Sequence, residues 1–109
     1  MKPLYADAMP QKLKKALVTL GGNISIARRK RELTVDMMCE RARLSKQTYL
    51  RLESGDPSVS LGAFSMVLFA LGEESRLVDL LDIASDEVGL MLDISRLPKR
   101  IRRQKSNVN

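Results

Sequence analysis

The chain has 109 residues, with 19 Lys and Arg against 13 Asp and Glu for a formal net charge of +6, one cysteine and no histidine. A single cysteine excludes an internal disulfide. Without histidine, the usual zinc constellations and the imidazole base of Ser or Cys hydrolases are missing, so the composition speaks against an enzyme and suggests no metal or cofactor. No apolar run nears the roughly 20 residues of a membrane span, and no apolar stretch follows Met1-Lys2-Pro3 as in a signal peptide, so a cytoplasmic protein is expected.

The length suits one compact domain, small enough for dimerisation to help its stability. Aromatics are scarce and Trp is absent, and alternating strand patterns between glycines are missing, so an all-α core of Leu, Ile, Val, Met and Ala is expected. Residues 1–10, with Pro3 and Pro10 and little periodicity, read as a flexible N-terminal arm. From Gln11 the chain turns helical: Leu13, Ala16, Leu17 and Leu20 form one stripe, Gly21-Gly22 interrupts it, and Ile24, Ala27 and Leu33 continue an apolar face. This is either two helices or one bent at the glycines. The basic run Arg28-Arg29-Lys30-Arg31 lies in it, as phosphate-seeking surface or as cations complementing a helix C-terminus.

Residues 33–55, LTVDMMCERARLSKQTYLRLESG, describe two short helices meeting at a tight turn. Thr34 can cap the first, whose inward face is Val35, Met38, Cys39 and Ala42 at i, i+3, i+4 and i+7. Ser45 caps the second, which sends Tyr49 and Leu52 inward and turns Lys46, Gln47, Thr48 and Arg51 outward with no acid among them. Such a face suits base edges in a major groove. Cys39 on the apolar face is a small packing residue, and Met37, Met38, Met66 and Met91 are gap-fillers rather than ligands.

A loop from Gly55 to Val59 ends at Ser60, a good N-cap. Leu61, Phe64, Leu68 and Leu71 stripe the next helix, which Gly72 stops. Leu77, Leu80 and Leu81 within residues 76–83 mark a fifth helix completing the core, so the domain runs over 11–83. Residues 84–97 form an extension for dimerisation or partner contact. Asp86 caps a helix there, while Val88, Leu90, Leu92 and Ile94 alternate as in a strand. Residues 98–109 are a basic tail punctuated by Pro98. The charge is segregated: residues 1–31 hold eight Lys or Arg against Asp7, whereas 72–95 hold seven acids against Arg76. The basic ends suit nucleic-acid phosphate, and the acidic block faces away from it.

Leu33-Thr34, Cys39, Ala42, Leu44-Ser45, Tyr49 and Leu52-Glu53-Ser54-Gly55 together resemble the lambda-repressor-like (XRE) helix-turn-helix family, whose five-helix fold is the implied architecture. The family's turn glycine is Arg43 here, so a left-handed turn strained by about 1 kcal/mol, or an altered turn, is expected. The resemblance implies that Ser45 lies near a phosphate or base edge, that Lys46 and Gln47 meet bases, that Thr48 meets the backbone, and that Arg51 reaches a guanine or a phosphate. Gln47 would pair adenine, and Lys46 or Arg51 guanine. Ser58 and Ser60, before the next helix, would hold phosphate; Arg28, read from the basic run rather than from the resemblance, is expected to contact phosphate as well.

The stretch GDPSVSLGAFSMVLFALG, followed by LVDLLD, DEVGLML and RLPKR, is similar to HipB-like antitoxins. That resemblance implies a homodimeric autorepressor of operator DNA that also contacts a HipA-like Ser/Thr kinase. A stand-alone or phage-type repressor, and a protein-interaction module on the same fold, are the alternatives.

Overall fold

The structure is a computed structural model that describes residues 3–84 and 86–92. It is all-helical over these residues: α1 (Leu4–Ala8), α2 (Gln11–Lys30), α3 (Val35–Ala42), α4 (Lys46–Glu53), α5 (Leu61–Leu71), α6 (Ser75–Asp79) and α7 (Glu87–Leu90). No helix among the described residues is long and apolar enough to cross a membrane. Contacts divide the chain into one unit over Met1–Leu77 and a second over Val78–Asn109.

In the first unit, side-chain caps set the helix starts. Thr34 Oγ1 accepts from Met37 N at 3.0 Å, Ser45 Oγ from Thr48 N at 3.2 Å and Ser60 Oγ from Ala63 N at 3.0 Å, each satisfying one orphan donor of a first turn. Between α3 and α4 the chain turns through Arg43 at φ 59° and ψ 42°, and Leu44 N returns to Cys39 O at 3.0 Å. The left-handed turn is therefore kept without the glycine that would adopt it freely.

One expectation for the N-terminal part is corrected, and of the two alternatives for the following stretch the single helix is found. Residues 4–8 are not a flexible arm but helix α1, which buries Ala6 and donates from the Tyr5 hydroxyl to Pro57 O at 3.1 Å. Helix α2 is one continuous helix of 20 residues through Gly21-Gly22. The physical reason lies across the seam. A Cβ at Gly21 would stand 2.4 Å from Glu53 O, and one at Gly55, itself at φ +84°, 2.8 Å from Val18 Cα. The glycines let the backbones of α2 and of the end of α4 touch, which outweighs a helix-propensity loss of about 1 kcal/mol.

The core joins α2, α3, α4 and α5 through Ile24, Leu33, Met38, Ala42, Tyr49, Leu52, Val67 and Leu71, with Cys39, Leu44, Val59 and Phe64 packed against it. The inward faces expected for α3 and α4 are found. The stripe expected for the first half of α2 is not, since Leu13 is 47 % exposed and Leu20 37 %. On α5 the buried residues are Ala63, Val67, Leu68 and Leu71, and Leu61 lies outside the core.

The fifth core helix over 76–83 is also corrected. Only Ser75–Asp79 is helical, none of it is buried, and Leu80 and Leu81 are exposed, with Leu81 at φ 57°, a backbone that cannot continue a right-handed helix. In the second unit, Asp86 caps α7 by accepting from Gly89 N at 3.0 Å, so the described part of the extension is a helical turn rather than a strand. The readings of residues 93–97 and of the basic tail at 98–109 lie outside the described residues.

Candidate nucleic-acid interface

The start of α4 follows directly from its cap. The Ser45 side chain is exposed, accepts from Thr48 N and donates to Thr48 Oγ1 at 3.0 Å, so both hydroxyls lie at the helix N-terminus. Lys46 and Gln47 come next, both exposed. Lys46 Nζ is 3.8 Å from Asp36 Oδ1, but with 63 % and 82 % of the two side chains exposed this pair holds little. The Gln47 amide has no partner among the described residues. The cap thus brings Ser45, Lys46, Gln47 and Thr48 to one helix end, where backbone N–H groups and a partial positive charge favour anions.

Arg51 behaves differently from the expectation that it reaches outward to a base. Its Nε donates to Asp56 Oδ2 at 2.9 Å and its Nη2 donates to Ser58 Oγ. Asp56 Oδ1 in turn accepts from Ser58 N at 2.8 Å and Ser58 Oγ at 2.7 Å. The hydroxyl and N–H of Ser58, then the Arg51 guanidinium, lower the Asp56 pKa to about 2. Arg51 and Ser58 are therefore tied to each other through the loop that leads to α5. Ser60 is spent on the α5 cap, though it stays exposed.

Arg28 is likewise turned inward, which corrects its placement on a phosphate-facing surface. Its Nε donates to Glu53 Oε2 at 2.9 Å and its Nη1 to Leu33 O at 2.8 Å, with only 11 % of the side chain exposed. The same Glu53 oxygen accepts the hydroxyl of Tyr49, which is fully buried. Glu53 raises the Arg28 pKa, and burial followed by Glu53 raises that of the Tyr49 phenol, so both protons stay in place. Arg31 also braces the fold, donating to Leu71 O at 3.1 Å and Ala27 O at 2.8 Å. Of the basic run, Arg29 and Lys30 remain as outward cations.

Two participants were not singled out from the sequence. Asp56 had a signal, because Asp-Pro-Ser is the pattern of a side chain bonding the backbone two residues on. Glu53 had none, because its partner Arg28 is 25 positions away. No family model, curated protein or solved structure matches the chain.

Proposed function

We propose that this chain is a sequence-specific DNA-binding transcriptional repressor of lambda-repressor-like architecture, acting as a homodimer on operator DNA, with α4 entering the major groove. The observation that carries the reading is the first turn of α4, where Lys46 and Gln47 stand exposed beside two hydroxyls while the one acid of the helix, Glu53, is held inward by Arg28 and Tyr49. A capped helix whose own carboxylate is turned inward suits the negative field of a duplex, and an amide with a cation matches the donor and acceptor pattern of base edges. The all-helical fold, with α2, α3, α4 and α5 joined in one core, is compatible with that architecture.

The deciding experiment is selection of binding sites from random duplexes, followed by footprinting. The expected result is a sequence with two related halves about one helical turn apart or a multiple of it. Equal retention on every duplex overturns specific readout and leaves the protein-interaction alternative. The further role as antitoxin to a HipA-like kinase rests on the sequence resemblance. Co-expression tests it, with relief of kinase toxicity as the expected result.

A further inference from the structure

On α4 nearly every side chain is committed within the protein. Tyr49 and Leu52 are in the core, Glu53 is bound to Arg28, Thr48 to Ser45, and Arg51 to Asp56 and Ser58. Three remain outward: Lys46, Gln47 and Leu50, the last an apolar side chain 43 % exposed. At about 100° per residue, Leu50 projects about 40° from Lys46, hence between Lys46 and Gln47 and one turn further along. It is the apolar member of an otherwise hydrogen-bonding face.

Resting on the DNA-binding reading above, we infer that Leu50 is a specificity determinant that packs against a pyrimidine 5-methyl group in the major groove, either thymine's or that of 5-methylcytosine. That methyl is the one apolar feature on the major-groove edge of the bases, and an aliphatic side chain is its natural complement. Lys46 and Gln47 then contact the pairs beside it, and Arg51 is a positioning residue that pins the loop before α5.

The test uses the full chain and the half-site obtained by selection. Each thymine is replaced in turn by uracil, which lacks only the methyl, and a parallel series carries 5-methylcytosine for each cytosine. For the wild type, one uracil position per half-site should weaken binding about four-fold, the worth of one buried methyl. Leu50→Ala, at an exposed helical position and checked by circular dichroism, should bind thymine and uracil equally there. If 5-methylcytosine is the source, the same four-fold appears as a gain on methylation and again vanishes in Leu50→Ala. Specific binding without any methyl-sensitive position, or sensitivity that persists in Leu50→Ala, overturns the inference while leaving DNA recognition standing. Failure to select any sequence overturns both.

Discussion

Arg28 at the end of α2 and Glu53 at the end of α4 form a 2.9 Å ion pair in which neither side chain is more than 14 % exposed. Removing one partner leaves the other charge in a poorly solvated place, which typically costs about 3–5 kcal/mol. Arg28→Ala and Glu53→Ala should each lower stability in urea by that order, and the double variant should lose clearly less than the sum. An Arg28→Ala protein as stable as the wild type would show that the pair does not brace the two helices.

The Asp56 carboxylate gives a pH dependence with a definite sign. Its folded pKa, about 2, lies below the ordinary value of an aspartate, 3.8. Its contribution is therefore present above pH 4 and is lost as pH falls toward 2. The stability difference between wild type and Asp56→Asn should be constant from pH 7 to 5 and narrow below pH 4. A gap that widens in acid would contradict the assignment.

On DNA, Gln47 and Arg51 should separate. Gln47→Ala should weaken the selected site by about 1–3 kcal/mol and relax preference at one base pair. Arg51→Ala should weaken all sequences alike, and the Arg51→Ala/Asp56→Ala double variant should lose less than the sum of the two single losses, since both remove the Arg51–Asp56 bond. Gel shifts on the selected site and its single-base variants measure both.

Cys39 packs against the core, and burial followed by the Asp36 charge raises its pKa. The thiol form dominates at pH 7, so reaction with a disulfide reagent should be slower than for an unfolded control. Cys39→Ala should keep DNA binding and lose at most about 2 kcal/mol of stability. Rapid native-state reaction would point to a redox role instead.

The acidic residues after α5 should divide into structural and free. Glu73 pairs with Arg76 at 2.6 Å and with Arg31 at 3.5 Å, while no such pair is found for Glu74 or Asp79 among the described residues. Glu73→Lys should lower the unfolding free energy, whereas Glu74→Lys and Asp79→Lys should leave it within about 0.5 kcal/mol of wild type. Equal effects from all three would remove Glu73 from the brace.

The parts legible in the sequence were the local ones. Thr34, Ser45, Ser60 and Asp86 all cap where a hydroxyl or carboxylate precedes an apolar stripe, because capping depends on four consecutive residues. The inward faces of α3 and α4 followed from spacing for the same reason. What spacing could not show was which cations are spent inside: Arg28, Arg31 and Arg51 look as available in sequence as Arg29 and Lys30, and only distant partners distinguish them. Gly21-Gly22 read as an interruption because the backbone of Glu53, which makes Gly21 necessary, lies 32 positions on.

The contact at Gly21 also limits how recognition can change. At Gly21 the backbone of α2 rests directly on the backbone of Leu52 and Glu53, so at that point no rotamer change can re-aim α4. The angle of that helix is thus a fixed mount. Variants that acquire a new target are expected to exchange the outward side chains at positions 46, 47 and 50, none of which belongs to the core cluster, so that affinity for DNA can drift with little cost to the fold.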